Sequence, residues 1–420
     1  MLILAVVGLA IVEILLLLAY LRIRRAESTG PRWWLHEVLL GWQVLYWIGA
    51  LALLASSPGD ATTAFVTIVS LAQVSFTAGC LLAVARPLVV PTAAEVLTKP
   101  ERRVAIVVGV IAGAVCLAFV VAVVRNQALG PILAGVVTGD QSFLSYRLIM
   151  STGAAAYFAP GYVKQFRDVL LLGALLVLVL KNRRPPWLLI TLGSAIGFAA
   201  AVLSGERSVL MIFLYTMGLA ALLRPGRSIH LRRSAAVVTG MVALAAFVTA
   251  TYLLGRTTVD ASPVRVVGES LWGLVDRVVL TVPRENADGF GVWSTVAPTW
   301  GRSWASDLIG ILPGAQASLS NDLHEFLGGG PLGNSVLGLA ADVYLAWGVV
   351  GVAAVPFAFA VSLASLDRVL LLSRSALTRT FRLTILPLTF AWYSPFLFVL
   401  NGGVVLLGVV AATQIRKRVD

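Results

Sequence analysis

Long apolar stretches alternate with short polar segments along the whole chain. The apolar runs fall at about 2–21, 35–55, 62–84, 104–124, 167–180, 187–203, 208–223, 235–254, 335–364, 383–400 and 403–414. Most approach the roughly 20 residues that a helix needs to cross a hydrocarbon core about 30 Å thick. The pattern predicts an all-α polytopic integral membrane protein with about 11 transmembrane helices. The last run is short and reads as a half-helix that turns back at Asn401-Gly402-Gly403. No repeat with a period of 20–50 residues is visible, which excludes solenoid and propeller architectures.

Two of the polar segments are long. One covers about 125–166 and the other about 255–334. The second carries Arg256, Arg265, Arg277, Arg284 and Arg302 against eight acidic residues, a net charge of −3. It is too rich in Trp, Val and Leu to be disordered, and loops of this length are otherwise functional. Within it, 263–282 is amphipathic, with Arg265, Glu269 and Asp276 on one face and mostly Val, Leu and Trp elsewhere. That predicts a helix lying along a membrane interface. The chain thus reads as helices 1–8 over 1–254, a large partly helical extracytoplasmic loop over 255–334, and helices 9–11 with a cytoplasmic C-terminus over 335–420.

Composition supports the membrane reading and narrows the partners. The chain has 420 residues, 59% hydrophobic and only 12% charged, with a mean hydropathy of +0.91. Soluble domains carry about 25% charged residues, so a soluble enzyme is excluded. The net charge of +12 belongs to loops at the membrane face and indicates a lipid bilayer as partner, not a nucleic acid. Arg22, Arg24, Arg25 and Arg32 follow the first run, which places that loop in the cytoplasm and the N-terminus outside. Alternation then puts 86–103, 181–184, 224–233, 368–382 and 416–418 inside. These inner segments hold 22 basic residues and the outer ones 10, as the positive-inside rule requires. Cys80 and Cys116 both lie in apolar runs and give neither a disulfide framework nor metal-ligand spacing. No metal and no cofactor is expected.

The candidate chemistry faces outward. The chain has no phosphate loop, no HExxH and no GxSxG elbow. Nucleotides are absent from the outer compartment, so a substrate there must arrive already activated, as a polyprenyl-pyrophosphate-linked sugar does. Its diphosphate calls for arginines at the rim of an apolar groove. Ser204-Gly205-Glu206-Arg207 opens the seventh run, whose N-terminus points outward. Helix N-terminal N–H groups, the Arg207 guanidinium and backbone approach at Gly205 together suit a diphosphate, with Glu206 alongside. A snorkelling Arg207 in an interfacial turn is the plainer alternative. Near the end of the long loop, Asp322, His324 and Glu325 are the candidate proton acceptors for an attacking sugar hydroxyl. Arg284 and Arg302 flank Trp293 and Trp300, which could stack on sugars or simply form an aromatic belt. Arg147 and Tyr157 in the other outer loop are weaker substrate contacts. Glu13 lies inside the first span, and a single intramembrane acid reads as a packing contact.

These motifs resemble those of the bacterial oligosaccharide repeat-unit polymerases, the Wzy-type O-antigen polymerase family. Ser204-Gly205-Glu206-Arg207 before an apolar span resembles that family's Gly-x-Arg signature. The long late outer loop resembles its main periplasmic loop. Gly329-Gly330-Pro331-Leu332-Gly333-Asn334-Ser335 through Asp342-Val343-Tyr344-Leu345-Ala346-Trp347-Gly348-Val349-Val350-Gly351 resembles its glycine-rich loop end and following span. The resemblance covers roughly the second half of the chain. It implies a GT-C-like, metal-independent, inverting glycosyltransferase of the bacterial inner membrane. Such an enzyme joins undecaprenyl-pyrophosphate-linked oligosaccharides at the periplasmic face, with Arg207 on the donor diphosphate, Tyr344 in its motif, and a chain-length regulator as a further partner. The family commonly has both termini inside, and this chain departs from that.

Two rival functions remain. An O-antigen ligase shares the architecture and leans on an outer-loop His, as His324-Glu325-Phe326-Leu327 could supply. A lipid or polysaccharide transporter or flippase needs ionisable groups near the midplane, whereas these spans read as almost free of charge.

Overall fold

A computed structural model describes residues 2–26, 35–85, 96–125, 163–182, 184–204, 207–223, 268, 272–273, 276–294, 297–309, 323, 325–328, 337–386, 388, 398, 402–405 and 407–408. All regular structure among them is helical. In chain order the helices are α1 (Leu2–Ala26), α2 (Leu35–Ser56), α3 (Asp60–Val84) and α4 (Lys99–Arg125). Then come α5, a π-helical turn Gln165–Leu171 continuing as Leu172–Lys181, α6 (Trp187–Leu203) and α7 (Arg207–Leu223). In α8 a π-helical turn Arg277–Thr281 continues as Val282–Trp293, and α9 (Arg302–Ile309), α10 (Leu339–Leu372) and α11 (Ala376–Ile385) complete the order.

Among the described residues five helices are long and apolar enough to cross a membrane: α1, α2, α3, α4 and α10. The first seven apolar runs coincide with helices to within a few residues, and α5, α6 and α7 are described over 17 residues each. The run 235–254 lies outside the described residues, as do most of 383–400 and 403–414. The amphipathic helix expected at 263–282 is described only from 276, and it continues to Trp293. Its buried face is Val282, Pro283, Asn286, Ala287, Gly289 and Phe290; Arg284, Asp288 and Val292 are exposed. Pro283 is well placed in the first turn of the α-helical part.

By proximity the chain divides into two compact units, each discontinuous in sequence. The first comprises 1–91, 274–372 and 389–401, and the second comprises 92–273, 373–388 and 402–420. In the first, α3 packs against α1, α2, α8 and α10. Gly79 makes the α3–α10 approach possible, because a β-carbon there would stand 2.6 Å from the Phe357 carbonyl oxygen. At one end of this unit the Leu35 N–H donates to Asp367 Oδ2 (3.0 Å) and Arg368 Nη1 to the Ala83 carbonyl (3.4 Å). Hence the start of α2 and the ends of α3 and α10 lie together. At the other end, Phe290 packs between Phe65 and Tyr344. This is the pairing of ends that simple alternation across a bilayer requires.

In the second unit α5 is the core helix, packed against α4, α6, α7 and α11. Its Leu171, Leu175 and Leu178 meet Ala112, Cys116 and Phe119 of α4. Glu101 ties two helix starts together there. The Thr98 N–H donates to Glu101 Oε2 (2.8 Å) while the Glu101 N–H donates to Thr98 Oγ1 (3.4 Å), the reciprocal pair of a capping box. Glu101 Oε1 accepts from Ser375 Oγ, which in turn accepts from the Thr378 N–H at the start of α11. Removing this carboxylate unseats both caps. Glu101→Ala should lower stability by about 1–2 kcal/mol, read as a lower thermal midpoint of the purified chain in detergent, with Glu101→Gln in between.

Candidate functional site

Apart from Arg207, the described candidates lie in the first unit, most of them at the end where α3 and α10 begin. α10 has 34 residues, about 51 Å at 1.5 Å per residue, which is far more than a bilayer needs. The excess is resolved by a break. Gly348 has φ 64° and ψ −160°, a conformation essentially reserved for glycine. It separates a short arm, 339–347, from a stretch of about 24 residues that is itself long enough to span.

Breaking a helix frees carbonyls, and a loop supplies their donors. The Thr299 N–H donates to the Leu345 carbonyl (3.0 Å) and the Gly301 N–H to the Ala346 carbonyl (3.1 Å). Without the break, those carbonyls would bond residues 349 and 350. Pro298 fills the space beside Gly348, 3.1 Å from where a β-carbon would stand. Thr299 Oγ1 also pairs with Ser303 Oγ (2.9 Å), which fixes the entry to α9. Trp300 adopts φ 52° and projects outward, 69% exposed, and Arg302 beside it is exposed too. Under the seat, Trp304 and Trp347 meet edge to face at 5.9 Å, and Trp304 Nε1 donates to Asp342 Oδ1 (3.3 Å).

Asp342 is buried in the first turn of α10. A carboxylate there complements the helix N-terminus. The segment leading into α10 is pinned by Asn286, whose Oδ1 accepts from the Gly338 N–H (2.9 Å) while its Nδ2 donates to the Val282 carbonyl (2.7 Å). Leu323 is buried against Leu337, Ala341 and Leu345, with Leu327 alongside. That holds Glu325, which is exposed, beside the first turns of α10.

The structure therefore brings Trp300, Arg302, Tyr344 and Glu325 to one end of the unit. Tyr344 is half-buried with its ring on Phe290 at 5.0 Å, a packing position. Arg284 occupies the exposed face of α8, opposite the buried side that carries Asn286. Asp322, His324, Arg147, Tyr157, Gly205 and Glu206 lie outside the described residues. Arg207 is the first residue of α7 in the second unit, following a turn closed by Ser204, whose N–H donates to the Ala200 carbonyl (3.1 Å). Among the described residues no group of three or more His, Cys, Asp or Glu could hold a metal.

Sequence reasoning missed Asp342 and Trp304 as contributors to the site, and missed the break itself. The one available signal was the length of the run at 335–364. It also read the spans as almost free of charge and noted Glu13 as an exception. Glu13 is buried completely, and Arg167 and Asp168 form a buried pair in the π-helical turn of α5, through Nε to Oδ1 (2.6 Å) and Nη2 to Oδ2 (3.0 Å). The Arg167–Asp168 pair was not singled out, because it sits at the start of an apolar run and adds no net charge.

No family model, curated protein or solved structure matches this chain.

The break can be tested by restoring a side chain. Gly348→Ala places a β-carbon in a glycine-only conformation and against Pro298. It should lose about 1–3 kcal/mol, or force the loop at 297–301 off α10. Trp fluorescence and the thermal midpoint report both outcomes.

Proposed function

We propose that this protein is a membrane glycosyltransferase of the repeat-unit polymerase kind, joining undecaprenyl-pyrophosphate-linked oligosaccharides at the outer face of the bacterial inner membrane. The observation that carries the reading is the seat at Gly348. There an exposed Trp and an exposed Arg are held by backbone hydrogen bonds at the mouth of a membrane-spanning stretch. A lipid diphosphate glycan is apolar at one end, anionic in the middle and a sugar at the other. The helix face, Arg302 and Trp300 match those three parts in order. The motif residues 342–351, on which the family resemblance rests, build this same seat.

In the proposed reaction an acceptor hydroxyl attacks the anomeric carbon of the donor. The bond to the diphosphate breaks, and the lipid diphosphate leaves with the bonding pair. Arg302 stabilises that leaving group. The hydroxyl proton passes to a carboxylate or imidazole of the loop that holds Asp322, His324 and Glu325. The C-terminus then lies in the cytoplasm, and a chain-length regulator is a fitting partner.

Two other readings have specific support. A ligase would use His324 and attach one glycan to a terminal acceptor. A carrier of lipid-linked glycan is favoured by the buried ionisable groups Glu13, Arg167 and Asp168. An in vitro assay with defined lipid-linked units separates the three, because a ladder means polymerase and a single product means ligase. Counterflow in proteoliposomes without any glycosidic product means carrier. For a polymerase, Arg302→Ala should reduce product by about 10–100-fold, the loss of one hydrogen-bonded charge. Arg207→Lys should lose most activity while the protein still inserts and folds, since a point charge lacks the guanidinium fork. Wild-type chain lengths from Arg302→Ala would remove the diphosphate assignment at the seat, and wild-type chain lengths from Arg207→Lys would remove the one that rests on the Gly-x-Arg motif.

A further inference from the structure

α1 touches the rest of the first unit along one narrow seam. Val6, Glu13 and Tyr20 are buried at seven-residue spacing, while Leu4, Ile11, Leu15, Leu18 and other apolar residues of this helix stay exposed. Glu13 sits at the middle of the seam, roughly 17–20 Å from either end of α1 at 1.5 Å per residue. In a hydrocarbon core about 30 Å thick that is the midplane. Its Oε1 accepts from Thr77 Oγ1 (2.7 Å) and Gln73 Nε2 (2.9 Å), both on α3. Its Oε2 is buried and meets no donor, and so is Gln73 Oε1.

Among the described residues the surroundings offer no compensating charge. The groups on Glu13 are the Gln73 amide and the Thr77 hydroxyl, with the Cys80 thiol one turn further along α3. The nearest charged cluster is two turns away along α1. There Tyr20 donates to Glu37 Oε1 (2.8 Å) and lies 3.2 Å from His36 Nε2, and Arg24 pairs with Glu37. An acceptor buried without a donor is unfavourable, and a carboxylate charge at the midplane is more so. Only a cation on Oε2 removes both penalties.

We propose that Glu13 is a proton-binding site in the membrane interior, with the bound proton latching α1 onto α3. A proton from the aqueous phase joins the carboxylate and gives a neutral carboxyl, with no other bond changed. The neutral group keeps its two accepted hydrogen bonds and gains a donor directed into the cluster where Gln73 Oε1 lacks one. Release of the proton leaves a charge on a lipid-facing helix and loosens the seam. The cluster Tyr20, His36 and Glu37 lies further along the same seam. This inference stands apart from the glycosyltransferase reading.

Infrared spectroscopy of the full chain in lipid nanodiscs tests it. At neutral pH in sodium-free buffer the protein should show a protonated-carboxyl carbonyl band that shifts in heavy water and disappears in Glu13→Gln. Thr77→Val keeps the carboxyl but removes one donor, so it should move the band to higher frequency. Thr77→Val also decides the matter should Glu13→Gln fail to fold. Identical spectra of wild type and Glu13→Gln, or a band unmoved by Thr77→Val, would overturn the proposal. So would a band abolished by added sodium, which would make the occupant a metal cation.

Discussion

Two backbone hydrogen bonds, from Thr299 and Gly301 to the carbonyls of Leu345 and Ala346, let a membrane helix stop and restart at Gly348. Inside a bilayer every backbone polar group needs a partner, so irregular backbone survives only where protein supplies one. The loop at 297–301 is that supply. Having docked, it carries Trp300 and Arg302 to the mouth of the span and Trp304 onto Asp342. Loop placement and helix break are thus one feature, and neither is tenable without the other.

The helices were legible because a bilayer imposes a length and an apolar composition that survive any detail of packing. The break in α10 was hidden for the converse reason. Trp347-Gly348-Val349-Val350-Gly351 is apolar throughout and reads as uninterrupted span. The donors that cap the break come from a segment 46 residues earlier, and no local pattern links the two. Trp300 and Arg302 were legible as an aromatic and a cation in a long outer loop, whereas Asp342 was quoted within a motif but given no role. Glu13 was visible as an acid in an apolar run and read as a packing contact, but its partners on α3 lie 60 and 64 residues away and no local pattern names them.

Polar groups are thus used in two ways. At the end of the first unit they support an exposed surface, and the buried members, Asn286 and Asp342, act by holding backbone and indole in place. Within the spans they sit away from water, as Glu13 does on α1 and the Arg167–Asp168 pair does on α5. A buried pair of this kind is seldom kept for stability alone, since desolvation offsets much of its attraction.

Labelling at the seat tests the central claim most directly. A single cysteine at Trp300→Cys, in a chain whose native Cys80 and Cys116 are buried, should react with a membrane-impermeant maleimide added outside intact spheroplasts. Undecaprenyl pyrophosphate should slow that reaction. Labelling only after permeabilisation, or at a rate the lipid diphosphate leaves unchanged, would contradict the account.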